Sequence, residues 1–105
     1  AFGAHALATG AFADAARGFR HMPTIRAAVR ARQKLRVTEA EGTPRVVRPL
    51  RLDYWGRVWT MTAWDETTSA FQLLRVDLLE EVAVLPQLFV DEPGRTLADY
   101  YATLG

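Results

Sequence analysis

The hydrophobic pattern changes from a helical period to an alternating one near residue 35. Apolar residues recur every three to four positions in two segments, Ala11–Arg20 and Thr24–Gln33, which predicts two amphipathic helices. Met22-Pro23 lies between them, and proline disfavours a helical conformation in the residue before it, so we expect a break there. From Leu35 onward apolar and polar residues alternate, as they do in a half-buried strand.

About five short antiparallel strands are predicted after this change of period. Turn-forming sequences separate them at Glu41–Pro44, Trp55–Arg57 and Asp65–Ser69. Pro49 cannot donate to a strand ladder, so we expect it at a bulge, a strand start or a sheet edge. Ala70–Leu79 is expected to be one strand, interrupted by Glu80-Glu81 and continued over Val82–Leu85, with Pro86 ending it.

Thr96 is a suitable N-cap for a closing helix over Leu97–Leu104. The chain is therefore predicted to be mainly β with flanking helices, folded as a small barrel or a strongly bent sheet. Residues 1–23 are expected to form a helical lead-in, and residues 24–105 the barrel domain with its closing helix.

Length and composition narrow the class of protein. The chain has 105 residues, half of them apolar, and no cysteine. This excludes intrinsic disorder, a disulfide scaffold, thiolate catalysis and cysteine-ligated zinc. No apolar run approaches the roughly 20 residues that cross a bilayer, so we expect no membrane partner and a cytoplasmic location.

Charge is unevenly distributed along the chain. Arg17–Arg57 contains 11 basic and 3 acidic residues, whereas Val58–Gly105 contains 2 basic and 8 acidic ones. Either the two segments neutralise each other within one fold, or a basic face binds an anionic partner.

The sequence offers little for catalysis. His5 and His21, the two histidines, have no second ligand or carboxylate at a useful spacing, and Ser69 is the single serine. We therefore expect no enzyme activity, no metal and no cofactor.

Aromatic and arginine side chains are concentrated in the strand-rich stretch, where such residues can stack on bases and contact phosphates. Trp59 and Phe71 are expected in the core, and Trp55 is expected to cover a turn. Trp64 shares its strand face with Thr60 and Thr62, so it is the ring most expected to be exposed.

Two motifs resemble those of the WYL domain family. They are RPLRLDYWGRVWTMTAWDE at Arg48–Glu66 and FQLLRVDLL at Phe71–Leu79, and the resemblance extends over Thr24–Ala102. It implies an Sm/SH3-like β-barrel that serves as the C-terminal sensory half of a bacterial transcription regulator. It further implies that the domain binds a nucleic-acid or nucleotide-like effector, for example single-stranded DNA. It also implies that the protein is a homodimer. DNA would be contacted by an attached helix-turn-helix domain that is not present in this chain.

The resemblance also implies site residues. Trp59 matches the family's strand tryptophan and Thr60 its tyrosine, while Arg75 and Asp77 match an arginine and an aspartate of the second motif. Thr68, Gln72 and Leu78 stand where the family usually has arginines, which weakens the expected anion site.

Arg75 is therefore expected to reach solvent beside a pocket or groove and to contact a phosphate or carboxylate. The Trp64 ring is expected to stack on the effector. Hydrogen bonds are expected from Gln72, Thr60 and Thr62, and additional positive charge from Arg57 and Arg51.

Two other interpretations stay open. The chain could be a ligand-free interaction and dimerisation module, with Thr68, Gln72 and Leu78 suited to a protein interface. Alternatively, Arg26, Arg30 and Lys34 could bind duplex DNA directly.

Overall fold

The computed structural model describes residues 19–105, which form a five-stranded antiparallel sheet with two helices. Helix α1 covers residues 19–31 and α2 covers Leu97–Thr103. The strands are β1 (Gln33–Glu39), β2 (Arg45–Trp55), β3 (Val58–Asp65), β4 (Ala70–Arg75) and β5 (Leu79–Leu88). Their order is β4-β3-β2-β1-β5, and the sheet is barrel-like but not closed. The predicted mainly β fold with flanking helices is confirmed.

Helix α1 is part of the hydrophobic core. Met22, Ile25 and Ala28 recur at helical spacing and are buried against residues of the sheet such as Leu35 and Val37. The predicted break at Met22-Pro23 is wrong, because α1 continues through both residues. Packing of the apolar stripe on either side of the proline outweighs the lost backbone hydrogen bond. The helix predicted at Ala11–Arg20 lies almost entirely outside the described residues, and the domain boundary after residue 23 stays a prediction.

The β2–β3 hairpin is built by local sequence. Gly56 and Arg57 have φ angles of +61° and +70°, as the central residues of a type I′ turn require. The register between β2 and β3 shifts between Pro49 and Arg51. Pro49 therefore lies at a bulge, as predicted, where the ladder needs no donor from it.

The chain between β4 and β5 departs from the prediction of one strand over Ala70–Leu79. A turn of 3-10 helix, Val76–Leu78, separates the two strands, and Val76 and Leu79 are buried on either side of it. Glu80 and Glu81 then belong to β5 rather than interrupting it, and Pro86 does not end it. Pro86 is tolerated because β5 is an edge strand whose register with β1 is irregular near that end.

Within residues 19–105, neither helix has the length and apolarity needed to span a membrane.

Candidate functional site

Three rows of side chains form one face of strands β2, β3 and β4, which we call the outer face. Residues directly opposite each other in antiparallel strands point to the same side of the sheet. The rows are Asp53–Thr60–Arg75, Arg51–Thr62–Leu73 and Arg48–Trp64–Phe71. Five of the predicted site residues therefore share this face: Arg51, Thr60, Thr62, Trp64 and Arg75.

Two predicted site residues do not join them. Gln72 is paired with Ala63 and therefore points to the opposite side of the sheet, the side on which Leu74 is buried. Arg57 is exposed in the hairpin turn, beyond the last paired residues Trp55 and Val58.

Helix α2 covers part of the outer face. The Tyr100 and Phe71 rings meet edge to face with centroids 5.5 Å apart, and Phe71 meets Trp64 in the same way at 5.0 Å. The Arg95 guanidinium lies over the Trp64 ring, 5.4 Å from its centroid. Trp64 is consequently half-buried, and the prediction that it would be exposed is wrong. The expectation that Phe71 belongs to the core is also wrong, because Phe71 lies half-buried beneath α2, whereas Trp59 packs against the core as predicted.

The start of α2 is fixed by a capping box. The Thr96 hydroxyl oxygen accepts a hydrogen bond from the Asp99 N–H at 3.1 Å, and the Asp99 carboxylate accepts one from the Thr96 N–H at 3.0 Å. Hydrogen bonds from the Thr96 backbone and hydroxyl hold the pKa of Asp99 below its ordinary value. The predicted N-cap at Thr96 is confirmed, and it sets where the helix meets the sheet.

A groove remains open on the outer face next to α2, and we call it the outer groove. It has a volume of about 340 Å³. Its lining residues are Arg51, Asp53, Tyr54, Trp55, Thr60, Thr62, Leu73, Tyr100 and Tyr101. The groove therefore combines aromatic rings, two threonine hydroxyl groups and a guanidinium, which can stack on a planar ligand and hydrogen-bond to it. Trp55 is the most accessible ring, with 76% of its surface exposed.

Arg51 connects the two walls of this groove. Its Nε donates to Asp53 Oδ1 at 2.7 Å, and its Nη1 donates to the Tyr101 hydroxyl. These hydrogen bonds, the one to Tyr101 first, raise the pKa of Arg51 above its ordinary value, so the side chain stays charged.

Arg75 lies at the margin of the outer groove, since Thr60 directly opposite it lines the groove. Its side chain is 49% exposed, as predicted for a residue that reaches solvent. It also forms a two-pronged ion pair with Asp77, with Nε–Oδ1 at 3.1 Å and Nη2–Oδ2 at 2.5 Å. Asp77 therefore offsets part of the positive charge that Arg75 presents to a ligand.

An ionic cluster around the buried Arg48 attaches the segment before α2 to the sheet. Arg48 is only 7% exposed, and its Nε donates to Glu66 Oε2 at 2.6 Å. Its Nη1 forms an ion pair with Glu92 Oε1 at 2.8 Å, but the geometry of this contact is not that of a hydrogen bond. Lys34 Nζ lies 2.9 Å from Glu66. Partial burial raises the pKa of Glu66, but the hydrogen bonds from Arg48 and Lys34 outweigh it and leave the pKa below its ordinary value.

The predicted site left out six of the nine lining residues: Asp53, Tyr54, Trp55, Leu73, Tyr100 and Tyr101. Leu73 could have been predicted from the alternation of side chains in β4. It lies two residues before Arg75 and therefore points to the same side of the sheet. The two tyrosines of α2 carry no signal that assigns them to this face, since their partners Phe71 and Arg51 are far away in the sequence. Among residues 19–105 no group of three or more potential metal ligands is brought together.

The model of the WYL domain family matches residues 20–84. Among solved structures, the proteasome accessory factor B/C (PafBC) of Arthrobacter aurescens is similar, with a TM-score of 0.64 and 24% identity. The match covers 68% of this chain but only 12% of PafBC, and the likeness supports the fold. A comparison with curated proteins finds no match. The strand motifs, the fold and the family match agree, and the chain belongs to the WYL domain family.

Proposed function

We propose that this chain is the ligand-sensing regulatory domain of a bacterial transcription regulator. Its effector is a nucleic-acid or nucleotide-like anion that binds in the outer groove. The chain acts by binding and not by catalysis, and DNA is contacted by a helix-turn-helix domain attached to it. A cytoplasmic location follows from this function. Membership of the WYL family supports the regulatory role.

The observation that carries the proposal is the chemistry of the outer groove. Trp55, Tyr100 and Tyr101 supply rings on which bases can stack, and stacking tolerates any base sequence. Thr62 supplies a hydroxyl group that can donate to or accept from base edges, and the Thr60 hydroxyl, which donates to the Asp53 carbonyl at 3.4 Å, can accept. This combination suits single-stranded nucleic acid better than duplex DNA, whose base faces are inaccessible.

The electrostatics support binding of moderate strength. Arg51 and Arg75 are the arginines at the groove, and each is paired with an aspartate. Two phosphate contacts on a single strand give a slope of log K against log salt of about −1.4. We therefore expect affinity to fall about sevenfold when salt is raised from about 50 to about 200 mM.

The test is a fluorescence-anisotropy titration of a short labelled single-stranded DNA and of the matching duplex. The single strand should bind more tightly, and Arg75→Ala and Thr62→Val should each weaken its binding severalfold. Arg36→Ala is the matched control, because Arg36 is an exposed arginine on β1, away from the groove. Absence of binding, or equal binding by wild type and Arg75→Ala, would contradict the proposed site.

A second candidate function is ligand-free self-association of a transcription regulator. It is favoured by exposed apolar residues along and just after edge strand β5: Val84, Leu88 and Val90. Light scattering should then report a dimer that Leu88→Lys dissociates. A monomer that binds the single-stranded DNA would contradict this second candidate.

A further inference from the structure

A second groove, of about 390 Å³, lies between α1 and β2, and we call it the α1 groove. Its half-buried apolar lining consists of Val29, Leu50, Leu52 and Trp59. Three exposed arginines complete the lining: Arg26, Arg30 and Arg51. The volume falls in the range of about 300–1,000 Å³ that small-molecule sites occupy.

The charge in this groove comes from α1. Arg26 and Arg30 are four residues apart and therefore lie next to each other on one side of the helix. Within residues 19–105, no carboxylate lies within 4.0 Å of either guanidinium, whereas Arg51 is paired with Asp53. Two like charges at this spacing destabilise a helix, and an anion bound between them relieves that repulsion.

The apolar lining adds a second requirement on the ligand. Burial of Leu50, Leu52 and the Trp59 ring by a ligand removes apolar surface from water, which an inorganic anion cannot do. A ring placed there can also contact Trp59, and guanidinium groups match the geometry of phosphate oxygens. The preferred ligand therefore has both a phosphate and a planar apolar body.

We propose that the α1 groove binds an organic phosphate of about the size of a nucleoside monophosphate. Arg26 and Arg30 hold the phosphate, and the planar body lies on Leu50, Leu52 and Trp59. This site shares Arg51 with the outer groove, but it holds the phosphate on Arg26 and Arg30, which do not line the outer groove. Duplex DNA is a poorer fit, because Lys34, the third basic residue of that interpretation, lies in β1 and is paired with Glu66.

The test is calorimetric titration of the chain with adenosine monophosphate, adenosine and inorganic phosphate. Adenosine monophosphate should bind most tightly, and it should raise the thermal midpoint of unfolding. Arg26→Ala and Arg30→Ala should each weaken its binding about tenfold, as expected for loss of a charged hydrogen-bond donor. Both side chains are exposed, so circular dichroism of these variants should match wild type.

Three measurements distinguish binding in the α1 groove from binding elsewhere on the chain. Arg36→Ala, an equally exposed arginine outside the α1 groove, should leave the binding of adenosine monophosphate unchanged. Arg75→Ala reports on the outer groove, so a loss of adenosine monophosphate binding in Arg75→Ala with none in Arg26→Ala and Arg30→Ala would assign the ligand to the outer groove instead. Equal affinity for adenosine monophosphate and inorganic phosphate, or no loss in Arg26→Ala and Arg30→Ala, would overturn the proposal.

Discussion

The two helices are attached to the sheet in different ways. Helix α1 inserts Met22, Ile25 and Ala28 into the core, where each is at most 4% exposed. Helix α2 has no buried residue and is held by ring contacts, an arginine–tyrosine hydrogen bond and the ionic cluster before it. One helix is therefore part of the folding core, while the other is a cover on the face that carries the outer groove.

This difference separates the folding core from the proposed binding site within a small domain. Segments with few buried apolar contacts open at a lower free energy than the core. Helix α2 is therefore expected to open without loss of the sheet, and it borders the groove in which we propose that the effector binds.

The largest expected effect is a loss of stability when a core residue of α1 is truncated. Ile25→Ala removes a fully buried side chain from the core and should lower the free energy of unfolding by about 2–5 kcal/mol. Urea denaturation followed by circular dichroism measures this change. A loss below about 1 kcal/mol would mean that α1 is not part of the folding core.

A smaller effect is expected on the α2 side. Tyr100→Ala removes the edge-to-face contact with Phe71, which contributes about 0.5–1.5 kcal/mol beyond the burial of the half-exposed ring, and the total loss should stay below that of Ile25→Ala. Hydrogen exchange should accelerate for the amides of α2 while those of β1 keep their protection. A loss equal to that of Ile25→Ala would contradict the distinction between the two helices.

The smallest expected effect is on the pH dependence of stability, to which the ionic cluster around Glu66 contributes. The folded-state pKa of Glu66 is depressed, so its contribution to stability is present above the unfolded pKa of about 4.3. That contribution is lost as pH falls through the lower, folded value. Urea midpoints measured from about pH 6 to about pH 3 should fall less steeply in Glu66→Gln than in wild type. Glu41→Gln, at an exposed turn carboxylate, should follow the wild-type curve.

Local chemistry made much of the sheet predictable. Pro49 required a bulge or an edge, the Gly56-Arg57 pair suited a two-residue hairpin turn, and Thr96 capped the closing helix. Each of these outcomes depends on a few neighbouring residues. Pro23 and Pro86 misled the prediction, because their backbone preferences were outweighed by core packing and by an edge position that the sequence does not reveal.

The outer face was only partly predictable for the same reason. The alternation of β3 placed Thr60, Thr62 and Trp64 together, and the register with β4 added Arg75. The alternation of side chains in β4 places Gln72 on the opposite side of the sheet. The site was predicted from a motif match, which does not take the direction of each side chain into account. The cover formed by α2 depends on contacts such as Phe71–Tyr100 between distant segments, which no local pattern encodes.

The central claim is that the outer groove beside α2 is where the effector binds. The most direct measurement is an amide chemical-shift map of the isotope-labelled chain during titration with a short single-stranded DNA. The largest changes should occur at Thr60, Thr62, Leu73 and Tyr101, while Val37 in the core stays unchanged. A map without changes in the outer groove, or with changes confined to Arg26 and Arg30 on α1, would contradict the claim.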